Sequence, residues 1–153
     1  MKTLKLSFFI LALSAIALSS CKKSSDGTAP ATSNSATFKF NGTAYTATKV
    51  TGAVSDGALQ VIGIVNSTTS IYIVITGNLA VGSFDISSGA GAVTFTEGST
   101  IYLGTAGTIT VTSLTSSTIA GTFNFTGTNA SSGSTGAGTS GAFKTTYTTV
   151  PAQ

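Results

Sequence analysis

The chain reads as an all-β protein: a single antiparallel β-sandwich of about nine or ten short strands, with an up-and-down barrel as the alternative. Three observations lead there. Runs of Thr, Val, Ile, Phe and Tyr are separated by Gly, Asn and Ser at roughly 8–12-residue spacing. Apolar and polar residues alternate within the later runs with the period of two that a half-buried strand requires. No amphipathic helical period lies between the runs, which disfavours any α/β arrangement.

Residues 1–20 come first and are of a different kind. Lys2 and Lys5 form a positive opening, Leu6 to Leu18 an apolar run interrupted by Ser7 and Ser14, and Ser19-Ser20 a small-residue approach to a cleavage point. That order is the order of a secretory signal. The run is shorter than the roughly 20 apolar residues a membrane span needs. Leu18-Ser19-Ser20-Cys21 resembles the lipobox of bacterial lipoproteins. The resemblance implies diacylglyceryl on the Cys21 thiol, cleavage before Cys21 and a further acyl chain such as palmitate on the new amino group. With about 0.8 kcal/mol per buried methylene and more than one chain, such a cysteine holds a protein on the membrane without crossing it. Cys21 is also the only cysteine, so it has no internal disulfide partner.

Residues 21–35 form the lipidated cysteine and a polar Ser/Thr/Ala/Pro/Gly tether. A coil of that length places a folded domain on the order of 20 Å from the bilayer surface. Residues 36–149 are the β domain and 150–153 a C-terminal tail. In the domain, Thr37 to Phe40, Asn41-Gly42 and Thr43 to Ala47 predict a hairpin, because Asn-Gly supplies the positive φ angles of a type I′ turn. Asp56-Gly57 predicts a second turn leading into Leu59 to Val65. Ile71 to Ile75 is continuously apolar, which suggests a central strand covered on both faces; at an edge it would template self-association. Val93 and Phe95, then Ile109 and Val111, then Ile119, Gly121, Phe123 and Phe125, alternate with Thr and Asn. Phe143, Thr145 and Tyr147 share one phase of a last strand, and the Gly/Ser/Thr/Ala run from Asn129 to Gly141 reads as a flexible loop.

Cys21-Lys22-Lys23, the opening Phe38 to Tyr45, and Gly107 to Leu114 leading into Ile119 to Phe125 resemble uncharacterised small lipoproteins of the Bacteroidetes type. The resemblance implies an outer-membrane, lipid-anchored protein, facing either the periplasm or the outside, and it brings no catalytic signature.

Charge and chemistry narrow the classes. The formal net charge of +3 falls to +1 once Lys2 and Lys5 leave with the signal. The remaining lysines are scattered and arginine is absent, so nucleic acid is not an expected partner. Histidine is absent too, which removes Ser-His-Asp and Cys-His chemistry and imidazole metal sites. No catalytic residue, metal ligand set or cofactor other than the lipid on Cys21 is expected. Asp85 and Glu97 are the one acidic pair worth testing against the geometry of a glycosidase, and both sit beside turn residues. Gly136 to Gly141 satisfies G-x-G-x-x-G but neither follows a strand nor opens a helix. Tyr72 and Tyr102 fall out of phase with Ile71, Ile73, Ile101 and Leu103; if those aliphatics face the core, both tyrosines offer an outer face on which a sugar ring can stack. The expectation is a non-enzymatic binding or structural module of the envelope, with a carbohydrate-binding surface module and a self-assembling component as alternatives.

Overall fold

A computed structural model describes residues 33–150, so Cys21, the signal and the tether lie outside the described residues. Ten strands account for the fold: β1 (Ser35–Phe40), β2 (Thr43–Thr46), β3 (Lys49–Ser55), β4 (Ala58–Ile64), β5 (Thr69–Ile75), β6 (Gly82–Asp85), β7 (Gly91–Glu97), β8 (Thr100–Leu114), β9 (Thr118–Asn129) and β10 (Thr135–Val150). There is no helix among the described residues. Both predicted turns form where Asn-Gly and Asp-Gly put them, with φ of 49° and 85° at Asn41-Gly42 and 51° and 78° at Asp56-Gly57. Those angles suit the right-handed twist of the strands they join.

All ten strands belong to one sheet. Its pairing runs β3-β4-β5-β7-β8-β9-β10 and returns to β3, closing on itself. The all-β expectation holds, and the ten strands form one sheet with the closed circuit of a barrel. Every contact is antiparallel except the closing one, where Tyr147 to Val150 run parallel to Gly52 to Ser55. β1 extends the ladder along the lower half of β10 and carries β2, while β6 lines the upper half of β8 beside β7. At the point where the partner of β10 changes from β1 to β3, Asn34 fills the gap. Its Oδ1 accepts from the Thr146 N–H at 3.0 Å and its Nδ2 donates to the Val50 carbonyl at 3.4 Å.

The core follows from alternation. Leu59 and Val61, Ile71, Ile73 and Ile75, Val93 and Phe95, Ile109 and Val111, and Ile119, Phe123 and Phe125 all point inward. β1 lies across the interior from β7, with Phe38 and Phe40 packed on Phe95 at centroid distances of 5.3 and 4.6 Å.

Three expectations need correction. The run 129–141 is not a loop throughout: Thr135 to Gly141 opens β10, and Gly136, Gly138 and Gly141 are buried. A Cβ at Gly136 or Gly138 would overlap the ring of Phe40 or Phe125, so these glycines are sockets for the aromatic core. Their uneven spacing is a β-bulge between Gly138 and Gly141, with Ser140 at φ 51°. Ile71 to Ile75 is central, paired to β4 and β7, but only its inner residues are fully covered; Tyr72 and Val74 are half-buried on the outside.

The third correction concerns Tyr102. Ile101 and Leu103 point outward, 44% and 48% exposed, while Tyr102 points inward onto Phe40 and Phe95. The phase of Ile109 and Val111 does not extend back to Ile101 because a bulge between Gly104 and Ala106 adds one residue and reverses it.

Candidate functional site

Tyr72 and Tyr102 therefore do not share a face. Tyr72 stands outside, in register with Ile62 of β4 and Thr94 of β7, and Thr94 in turn faces Leu103 of β8. The adjoining row runs Ile64, Ser70, Thr96 and Ile101 across the same four strands. Six large apolar side chains are exposed among the described residues, and Ile62, Ile64, Ile101 and Leu103 of this face are four of them. Such a concentration marks a contact surface more often than chance placement does.

The face is not flat. Ser70 and Thr96 are small beside Ile64, which leaves a shallow depression of about 420 Å³ over β4, β5 and β7. It is lined by Ile62 and Ile64 and, around them, Asn66, Ser67, Thr68, Thr69, Ser70, Thr96 and Gly98, with no ionisable side chain. The rim is held in place by its own hydrogen bonds. Asn66 Oδ1 accepts from both the N–H and the hydroxyl of Thr68, at 2.9 and 3.1 Å, the turn that an Asn side chain forms two residues on. The Gly98 N–H donates to the Thr68 carbonyl at 2.9 Å, tying this turn to the one between β7 and β8. Two isoleucines ringed by hydroxyls and an amide suit a neutral ligand with apolar and hydroxyl-bearing faces.

The acids lie elsewhere and apart. Asp85 ends β6, where it accepts from the Ser87 hydroxyl at 2.5 Å and the Ser88 N–H at 3.0 Å; these bonds hold its carboxyl below the usual carboxylate range. Glu97 ends β7 and accepts from the Tyr45 hydroxyl at 2.6 Å. Asp85 is in register with Thr108 of β8 and Glu97 with Thr100. Eight residues of strand separate those positions, roughly 25 Å, well beyond the roughly 5–9.5 Å at which two carboxyls flank a glycosidic bond. The described residues bring no three of His, Cys, Asp and Glu together as a metal site.

Sequence reasoning reached Tyr72 but missed Ile62, Ile64, Ile101 and Leu103. The signal was present in Val61 to Val65: an unbroken apolar run on a strand with period two must place some of its aliphatics outside.

Residues 33–146 match the model of a family described as a domain of unknown function, DUF6252. No curated protein and no solved structure matches the chain.

Proposed function

The chain belongs to the family of the domain of unknown function DUF6252, and for this member we propose a non-enzymatic envelope module. It is held on the outer membrane by acyl chains on Cys21, and it binds a neutral glycan segment in the depression over β4, β5 and β7. The observation that carries the reading is the lining of that depression, with Ile62 and Ile64 as the apolar floor and the hydroxyls of Ser67, Thr68, Ser70 and Thr96 beside the Asn66 amide. Aliphatic C–H faces of a sugar pack on the isoleucines while its hydroxyls exchange hydrogen bonds with the rim. Tyr72, half-buried next to Ile62, extends the apolar surface along the same face.

Self-assembly through Ile71 to Ile75 has less support, because both edges of β5 are already paired. Affinity electrophoresis of the purified full-length protein through gels containing neutral polysaccharides tests the reading. Retardation by at least one of them is expected, abolished by Ile64→Asp and reduced by Tyr72→Ala. Unretarded migration of the folded protein in every gel would refute it. Mass spectrometry of the membrane fraction tests the anchor separately: Cys21 is expected as the acylated N-terminus, and an unmodified thiol there would refute that part.

A further inference from the structure

The apolar outer face continues past the depression. Thr96, which lines it, is in register with Ile101 of β8, and Thr94, the neighbouring outward residue of β7, is in register with Leu103. Ile101 and Leu103 are the more exposed pair of the four large aliphatics on this face. They form a second apolar pad, separated from Ile62 and Ile64 of β4 by strands β5 and β7. Between the pads, one row carries Ser70 and Thr96 and the other Tyr72 and Thr94. Each row across the four strands thus reads aliphatic, hydroxyl, hydroxyl, aliphatic.

The pattern stops on both flanks. On β3, Lys49 is in register with Ile64 and Thr51 with Ile62, and both are exposed. On β9, Thr128 is opposite Leu103. The dimensions then decide what the face can hold. From β4 to β8 is three strand spacings, about 14 Å, and successive outward residues along a strand are about 7 Å apart. Two rows of that size fall well short of the roughly 800 Å² per partner that a stable protein interface buries. They are nevertheless wider than one sugar ring can cover.

We propose that the site takes an extended linear oligosaccharide, laid across the strands from the depression to Ile101 and Leu103, and not a single sugar. The inference rests on the glycan reading of the depression. One residue of the ligand seats its C–H face on Ile62 and Ile64 and a later one on Ile101 and Leu103. The hydroxyls of the stretch between exchange hydrogen bonds with Ser70, Tyr72, Thr94 and Thr96. Once the first pad is occupied, contact with the second is intramolecular, so affinity rises with chain length until β8 is reached and then levels off. The chain extends toward β8 because in the other direction it meets the strongly hydrated Lys49 ammonium instead of an apolar surface.

The test titrates the full-length protein with cello-, manno- and malto-oligosaccharides from monomer to hexamer by calorimetry, beside Ile101→Ser, Leu103→Ser and Lys49→Gln. All three positions are exposed, so the denaturation midpoints should stay close to that of the parent. In a series that binds, affinity is expected to rise about tenfold from dimer to hexamer. Ile101→Ser and Leu103→Ser should remove most of that rise and leave dimer affinity unchanged, while Lys49→Gln alters neither. Equal affinity at every length would overturn the proposal, as would a rise that survives both β8 substitutions or is lost in Lys49→Gln. Sedimentation of the free protein as a dimer that Leu103→Ser dissociates would also overturn it, by assigning the second pad to another copy of the chain. Absence of binding in every series at every length would instead refute the glycan reading of the depression itself.

Discussion

The wall formed by β9 and β10 is filled by phenyl rings set over glycines, whereas the wall formed by β4, β5 and β7 is filled by branched aliphatics. On the first, Phe123, Phe125 and Phe143 are buried beside Gly121, Gly136, Gly138 and Gly141. On the second, Leu59, Val61, Ile71, Ile73, Ile75 and Val93 interlock with little glycine between them. A ring lying along a strand occupies the space of a neighbouring Cβ, so the aromatic wall requires residues without one, at some cost in backbone entropy. The aliphatic wall has looser ones: a Cβ at Gly63 would meet Ile71 at 3.0 Å and one at Gly91 would meet Ile109 at 2.8 Å, against 2.0 Å from the Phe125 ring at Gly138. Outside, the contrast reverses: β9 and β10 present Thr, Asn and Ala, while β4, β5 and β8 present Ile62, Ile64, Tyr72, Ile101 and Leu103. The stretch that looks like low-complexity linker lies inside, and the stretch that looks wholly buried has an exposed face.

Phe95 packs on Phe38 and Phe40 of β1, which in turn meet Phe123 and Phe125 of β9, so it links the two walls and its removal is expected to have the largest effect. It projects from the aliphatic wall onto Phe38, Phe40 and Tyr45, at 5.3, 4.6 and 5.2 Å. Phe95→Ala should destabilise by about 3–5 kcal/mol, read as a lower denaturation midpoint with an unchanged slope. A loss of less than about 1 kcal/mol would mean that packing between the walls contributes little. Next comes the socket itself. Gly138→Ala should cost about 1–3 kcal/mol through overlap with Phe125, and Phe125→Leu in the same chain should recover part of it. Ala137→Ser, one residue away and outward, should stay within about 0.5 kcal/mol. Equal behaviour of the two single variants would return residues 135–141 to the status of a loop.

Legibility in the sequence follows the same division. The hairpins were readable because Asn41-Gly42 and Asp56-Gly57 act locally, through φ angles that few other residues adopt. The inner faces of β4, β5, β7 and β9 were readable because alternation needs no knowledge of the partner strand. What failed was phase across a bulge. The extra residue between Gly104 and Ala106 turned Tyr102 inward and Leu103 outward, and the one between Gly138 and Gly141 disguised a strand as G-x-G-x-x-G. A bulge is selected by the partner strand and the curvature of the sheet, neither of which one strand's sequence contains. The binding face was half-legible: Tyr72 stood out as an aromatic, while its aliphatic neighbours looked like core.

A smaller effect on stability with a large effect on binding is expected on the outer face. Ile64→Thr removes part of the apolar floor at a position that is 38% exposed. It should change stability by no more than about 0.5 kcal/mol while weakening retardation in polysaccharide gels. If it instead destabilised as strongly as a core substitution, the outer face would have to be counted as part of the fold, and the contrast between the walls would hold only inside.

The smallest effect is expected where the aromatic side is latched to the aliphatic one. β2 pairs only with β1 among the described residues, and its Tyr45 hydroxyl reaches Glu97 at the end of β7. Burial, followed by the hydrogen bond and the charge of Glu97, pushes the Tyr45 phenol up from 10.0 to about 12. The folded protein therefore holds this proton more tightly than the unfolded chain. The stabilisation is fully present below pH 10 and is lost as pH rises from 10 to about 12. Asp85 has the opposite sign: its depressed carboxyl contributes above its ordinary value of 3.8, and that contribution disappears as the solution is acidified through the lower folded value. Tyr45→Phe should flatten the part of the alkaline slope that the latch produces and leave the acid limb as it was. Denaturation midpoints measured against pH for both proteins give the comparison. Identical alkaline slopes would show that β2 is held by ring packing on Phe38 and Phe95 alone, with no contribution from the Glu97 hydrogen bond.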